Sequence, residues 1–507
     1  MSIRKKSTMN KNPERIRTKF LAGMRPYGIT AAAIVLSYVI FSLLLGLSEG
    51  VLRALMLAGV LLCGFILFIR ILRNKCASRA EAVITAIIAA GIVMRVGYML
   101  YTSFTMRGHD IGAFDDDGHF GYMYQIFSTG TLPQANTYQF YHPPFAHIVQ
   151  ALVVKVFSWF RPGAETTSLF EAAKLVPAFA SCAVLWVCRS LCREIKLSGR
   201  ATAIALAIIA FQPTFFIFSA SVNNDPLMLL FFMIAVLYTI RWYEQPTMKN
   251  ILLIAIAIGL GMMTKLSAAS VAFFTAPVFL AVFIKSFKKK QAGKIFGQFV
   301  AFVGVCAPLG LWYPVRNMLK FGQSFGDVFT LSTTSKLYSG DFSFAQRFLS
   351  VPVDQLFSPI YCEPYGDYNL WAYTLKCSVF GEFKFGRPDA LATLLIAANL
   401  ILIVFSLAAM IYVMIRCKET NKFARFGLFW LWLIQMASFI VFNINFPFGC
   451  TMDFRYIVPT AIVGAIYMGI ALDHIKEKNK AVANAVFIAG ILAVALFGIA
   501  SVLFYAV

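Results

Sequence analysis

PPFAHIVQALVVKVFSWF, residues 143–160, is apolar enough to be counted as a membrane span. That one decision sets the side of every loop after it. Counted as a crossing, it would turn KSFKKKQAGK (285–294) to the outer face, against the rule that short loops rich in Lys and Arg stay in the cytoplasm. Laid along the outer interface as an amphipathic helix, it leaves that loop inside, and this is the placement adopted.

The surrounding composition agrees with a membrane setting. Of 507 residues, 59% are hydrophobic and 13% charged, and the mean hydropathy is +0.74. A water-soluble fold would leave too much apolar surface exposed. A helix needs about 20 apolar residues to cross the hydrocarbon core, and the many apolar runs are continuous, without the alternation of barrel strands. The sequence therefore predicts an all-α polytopic membrane protein. Its thirteen expected transmembrane helices lie at 28–46, 51–72, 81–102, 171–193, 201–220, 224–243, 249–263, 266–284, 295–315, 390–415, 425–442, 456–473 and 481–506.

The net charge of +22 resides mainly in short clusters between these runs. Arg4, Lys5, Lys6, Lys11, Arg15, Arg17, Lys19 and Arg25 precede the first span, and Lys285, Lys288, Lys289, Lys290 and Lys294 share one loop. This is the positive-inside pattern, and no folded basic domain with aromatic platforms exists for nucleic acid. With the N-terminus inside, the even-numbered connections RNKCASR, CREIKLSGR, RWYEQPTMKN, KSFKKKQAGK, RCKETNKFAR and HIKEKNK are all basic. The first run lacks a small-residue cleavage site and is taken as an anchor.

The chain then divides into a basic cytoplasmic N-terminus (1–27), helices 1–3 (28–102) and an extracytoplasmic loop with interfacial helices (103–170). Helices 4–9 (171–316), a second extracytoplasmic loop (317–388) and helices 10–13 (389–507) follow. No internal repeat is evident. The second loop, holding SPIYCEPYGDYNLW, is long enough to form a small cap over an external site. The ten cysteines are scattered without a CxxC pair, and Cys362, Cys377 and Cys450 fall on the oxidising side.

The unusual polar chemistry gathers in the outer connections. Asp115, Asp116 and Asp117 precede a helical stripe of Phe120, Tyr124 and Phe127. A helix cap needs one of these carboxylates, a role given to Asp115, and the surplus suggests a base or a cation site. An EF-hand is excluded by spacing. His109, His119, His142 and His147 share the region, without HExxH or a comparable zinc pattern. In YHPPFAH, two prolines fix an extended entry to the interfacial helix and place His142 near the membrane surface; a simple turn is the competing explanation.

DDDGHFGYMYQIFSTG followed by YHPPFAH resembles the first extracytoplasmic loop of protein O-mannosyltransferases, with its Asp-Glu-x-His-Phe-Gly and His-Pro-Pro-Leu strings. It is also similar to the bacterial aminoarabinose transferases that modify lipid A. The resemblance implies the GT-C glycosyltransferase fold and a polyprenyl-phosphate sugar donor. Asp116 then matches the family's catalytic Asp and Asp117 its acidic neighbour, while His119, Phe120, Gly121, His142, Pro143 and Pro144 match directly. Three departures stand out: Asp117 in place of Glu, Phe145 in place of Leu, and no soluble sugar-binding insertion.

Shorter motifs resemble the same fold. NNDPL places Asn224 and Asp225 at an outer span start, GLGMMTKLSA places Lys265 at an outer turn, and WYPVRNMLKFG places Arg316 at an outer span end. DFRYIVP adds Asp453 and Arg455. Each alone fits snorkelling or capping, yet three cations on the face that should be poor in them suggest a function.

The expected enzyme is a glycosyltransferase in the plasma membrane, with its site on the extracytoplasmic face. Lys265, Arg316, Arg455 and His142 would hold the donor phosphate. Asp116, with Asp117 beside it, would take the acceptor's proton, and the resemblance implies inversion. His119, Tyr141, Asn224, Asp225 and Glu382 are expected to touch sugar or acceptor, with Tyr122 and Tyr138 also near. No cofactor is assigned, and a divalent cation stays open because family members differ in using one. The expected partners are a polyprenyl-phosphate sugar, membrane lipids and an extracytoplasmic acceptor that is a protein, a lipid or a cell-wall glycan. The alternatives are a transporter or flippase for a lipid-linked sugar and a binding subunit. A transporter would place its ionisable groups near mid-membrane and show repeated halves.

Overall fold

The computed structural model describes residues 13–73, 78–106, 118–325, 328, 331–357, 367–381, 389–478 and 480–507. Asp115, Asp116, Asp117, His109, Cys362 and Glu382 lie outside them. The described residues are helical, with no named strand. Helices of eight or more residues run in the order α1 (Pro13–Ser37), α2 (Glu49–Leu72), α3 (Arg79–Tyr101), α4 (His119–Thr129), α5 (Phe145–Phe160) and α6 (Leu175–Glu194). Next come α7 (Gly199–Phe211), α8 (Pro213–Ala220), α9 (Asp225–Glu244), α10 (Met248–Thr264), α11 (Ala272–Lys288) and α12 (Ala292–Phe321). The chain closes with α13 (Leu370–Phe380), α14 (Asp389–Arg416), α15 (Leu428–Asn445), α16 (Val458–Glu477) and α17 (Ala481–Ala506).

Among these, eleven helices, some lengthened by an adjoining 3-10 or π turn, are long and apolar enough to cross a membrane, and the pair α7–α8 makes a twelfth. This is a multi-pass membrane protein. The expected span at 201–220 is this α7–α8 pair, bent by 50°. Pro213 has no N–H to continue the ladder, so the carbonyls before it lose a helical partner. Arg95 on α3 supplies one: its guanidinium donates to Ile209 O (3.0 Å), Ala210 O (2.9 Å) and Gly91 O (2.8 Å), and to Ser181 Oγ (3.1 Å). The expected span at 249–263 is α10, only 17 residues long. It stops because Lys265 takes extended backbone at its C-terminus.

Ion pairs show how the ends of the bundle align. Glu81 pairs with Arg189, Glu194 with Arg241 at 2.6 Å, and Arg200 with Asp473 at 3.2 Å. These residues lie in or close beside the connections at 73–79, 192–200, 241–250 and 474–480, which therefore share one end. At the other end Lys174 donates to Met99 O (2.6 Å) and Thr102 O (2.5 Å). The chain thus leaves α3 and enters α6 at the same place, and the intervening segment with α5 returns it to the end it left.

Local signals fix the helix starts. The Ser78 side chain accepts from Glu81 N at the N-cap of α3, and Ser198 and Thr247 cap α7 and α10 in the same manner. The cap given to Asp115 falls elsewhere: α4 begins after Gly118, which stands at the N-cap without a side-chain bond. The aromatic stripe on α4 is present, with Phe120, Tyr124 and Phe127 gathered around Phe170 at 4.9, 5.7 and 5.3 Å between ring centroids.

Within the second long connection, α13 is buried along its whole length. Asn369 caps it, Gln212 and Thr214 at the α7–α8 bend both donate to Ser378 O at 2.7 Å, and Thr374 donates to Met452 O at 2.9 Å. A second tie joins this connection to the turn after α15: Ser339 N donates to Pro447 O (2.8 Å) and Gly449 N to Leu337 O (2.7 Å).

Candidate active site

The 3-10 turn after α10 and the two short turns before α16 meet the start of α9 at the end opposite the basic connections. Lys265 Nζ lies 2.5 Å from Asp225 Oδ1, and Arg455 Nε lies 3.8 Å from the other oxygen of the same carboxylate. Asp453 accepts from the Arg455 backbone N–H at 2.8 Å and stands 3.8 Å from its Nε. Tyr456 roofs both cations, its ring centroid 5.0 Å from Lys265 Nζ and 5.2 Å from Arg455 Cζ. All of these side chains except Tyr456 are at most about a tenth exposed. Burial lowers the Lys265 pKa against the opposing pull of Asp225. Burial raises the Tyr456 hydroxyl.

His142 joins this cluster from the connection between α3 and α6. Burial pushes its imidazole well below the ordinary range, and the nearby charges of Lys265 and Arg455 push in the same direction. It is therefore neutral near pH 7 and can donate or accept without adding charge. Its position is set by aromatic packing. The Tyr141 ring lies 4.0 Å from the His142 ring, Tyr122 Oη donates to His142 O (3.1 Å), and Tyr122 also bonds Tyr313 Oη at 2.8 Å. Tyr313 in turn donates to Phe140 O at 2.9 Å.

Behind His142, His119 Nδ1 and His147 Nε2 are 2.9 Å apart, and Tyr122 stacks on His147 at 4.2 Å. His119 is buried in this stack, and its ring is parallel to that of His142 at 6.1 Å. Burial lowers His147 to about 3, so it too is neutral. Among the described residues no group of three or more His, Cys, Asp or Glu side chains is placed to hold a metal ion.

Four of the expected site residues, His142, Asp225, Lys265 and Arg455, are thus brought together from four separate motifs. Arg316 stands apart. Its guanidinium donates to Pro133 O and Asn317 Oδ1, both at 2.7 Å, and lies over the Tyr313 ring at 5.1 Å, so it braces the tyrosine layer behind His142. Asn224 is fully buried beside Asp225. Asp116, Asp117 and Glu382 fall outside the described residues.

The sequence did not single out Gln150, Tyr313 or Asn317. Gln150 is polar in an apolar helix, which is a usable signal. Asn317 donates to Gln323 Oε1 at 3.0 Å and lies 3.5 Å from Tyr141 O.

No curated protein matches this chain in sequence. Among solved structures, the oligosaccharyltransferase of Archaeoglobus fulgidus in its apo form is similar at 15% identity and a TM-score of 0.45. The similarity covers 83% of this chain and 56% of that one, so this chain spans little more than half of its length. ArnT from Cupriavidus metallidurans bound to undecaprenyl phosphate is similar at 14% identity and a TM-score of 0.34, over 82% of this chain and 77% of that one. Over residues 141–313, which hold His142, Asp225 and Lys265, the chain matches the dolichyl-phosphate-mannose-protein mannosyltransferase family, the resemblance already carried by its loop motifs.

Proposed function

We propose that this protein is an integral membrane glycosyltransferase that moves a sugar from a polyprenyl-phosphate donor to a hydroxyl of an extracytoplasmic acceptor, with inversion at the anomeric carbon. The convergence of His142, Asp225, Lys265 and Arg455 in one buried cluster supports this reading. Pairing with Asp225 orients the two cations toward one place, where their charge suits a phosphate.

In the reaction, Asp116 takes the proton of the acceptor hydroxyl as its oxygen attacks the anomeric carbon. The bond from that carbon to the phosphate oxygen breaks, and polyprenyl phosphate leaves with the electron pair. Lys265 and Arg455 stabilise the charge that develops on the leaving oxygen, and neutral His142 adds a hydrogen bond. Asp117 stands beside the base, while His119, Tyr141 and Glu382 contact sugar or acceptor. The site faces the extracytoplasmic side of the plasma membrane, where lipid-linked sugars are available and nucleotide sugars are not.

The test is release or transfer of sugar from a panel of polyprenyl-phosphate sugars by the purified protein in detergent, beside Asp116→Asn. The expected result is turnover of one donor, reduced about 100-fold or more in the variant while lipid binding persists. If the wild type binds the lipid but never cleaves it with acceptors supplied, the transferase reading fails in favour of a transporter or binding subunit.

A further inference from the structure

Several buried polar atoms beside the charged cluster have no partner among the described residues. Asn224 is completely buried, and neither its Oδ1 nor its Nδ2 is hydrogen-bonded. Gln150 is buried and donates from Nε2 to Asn223 O at 3.3 Å, which leaves its Oε1 unmatched. His147 is buried too, and with its Nε2 engaged by His119, its Nδ1 is unmatched. His147 and Gln150 lie one turn apart on the inward face of α5, Gln150 touches the residue before Asn224, and Asn224 directly precedes Asp225.

Buried amides normally find partners, because leaving them unmade forfeits their hydration without return. Three side chains from two elements sharing this deficit in one place point to an occupant that both donates and accepts. A phosphate does not fit, since these groups are neutral while cations stand next to them. A lipid tail does not fit either, since it would leave every one of these atoms unmet. Hydroxyl groups on a ring match, each being one donor and two acceptors.

We propose that Asn224, Gln150 and His147 form a neutral hydrogen-bonding subsite that takes hydroxyl groups of the transferred sugar, next to the cations that take its phosphate. This rests on the transferase reading. It assigns the donor an uncharged, hydroxyl-rich sugar and makes Gln150 and Asn224 specificity-determining.

The experiment compares binding of bare polyprenyl phosphate with binding of a panel of polyprenyl-phosphate hexoses to purified wild-type protein, Gln150→Met and Asn224→Leu, with thermal unfolding of each. The wild type is expected to bind at least one hexose lipid about tenfold tighter than the bare lipid, and both variants to lose that preference while holding the bare lipid within about twofold. Asn224→Leu is also expected to unfold at the same or a higher temperature without ligand, because an apolar side chain there leaves nothing unsatisfied. If the wild type shows no preference, or both variants retain it, internal water alone meets these atoms and the subsite is refuted. If the wild type binds neither form of the lipid, the transferase reading falls and takes the subsite with it.

Discussion

Asp225 is shared by two cations, with Lys265 at 2.5 Å from one carboxylate oxygen and Arg455 at 3.8 Å from the other. Removing that carboxylate leaves two buried positive charges with Asp453 as the nearby counter-charge. Asp225→Asn is expected to destabilise the protein by about 3–5 kcal/mol, the usual result of breaking a buried pair from one side. The double variant Asp225→Asn with Lys265→Met should recover part of this loss. Thermal unfolding of the four proteins in one detergent gives the coupling directly, and additive effects would show that the pair does not interact.

The two arginines expected to hold phosphate should behave differently. Arg455 belongs to the cluster, whereas Arg316 is tied to Pro133 O and Asn317. Arg455→Ala is expected to weaken binding of bare polyprenyl phosphate by about tenfold or more, and Arg316→Ala by less than about threefold. A larger loss at Arg316 would place the phosphate on the tyrosine side of His142.

Acidification should weaken the fold through the histidine stack. A group whose pKa is lower in the folded state contributes stability above its unfolded value, and that contribution is lost as pH falls toward the folded value. For His147 the window runs from the ordinary imidazole range near 6.5 down to about 3. Going from pH 7 to pH 5 should cost about 2 kcal/mol at this residue. His147→Gln, which keeps a polar group without titrating, should make the unfolding temperature fall less steeply between those pH values, the remaining slope coming from His142. An unchanged slope would show that the imidazole is solvated.

Arg95 holds the bend in α7–α8 through four donors to three carbonyls and a hydroxyl. Arg95→Met should therefore destabilise by about 3 kcal/mol or more, because several buried acceptors lose their partner together. Arg95→Lys should recover little, since an ammonium cannot span the same fan of acceptors. Equal stability of Lys and Arg at this position would mean that charge, and not geometry, supports the bend.

Much of the helical layout was legible because apolar runs and basic loops act locally, and a membrane turns both into position. The clustering of Asp225, Lys265 and Arg455 was not, since residues so far apart in sequence meet only through tertiary packing. Lys265 and Arg455 are grouped in the sequence as cations for one phosphate, whereas their shared pairing with Asp225 has no sequence signal. The bend at 201–220 has a signal in Pro213 within an apolar run, and Arg95 amid AGIVMRVGYML is a lone cation in a span that needs partners. The cap was misplaced from Asp115 to Gly118 because composition marks a helix start less sharply than backbone geometry does.

The backbone tie between residues 337–339 and 447–449 gives the second long connection a mechanical role. Residues 449–452 form the 3-10 turn that leads to Asp453 and Arg455. Any displacement of the 337–339 segment must either break those two bonds or pull on the turn that carries Arg455. On the transferase reading we propose, passage of an acceptor beside this segment and the charge offered to the donor phosphate are linked quantities, and each is expected to report on the other.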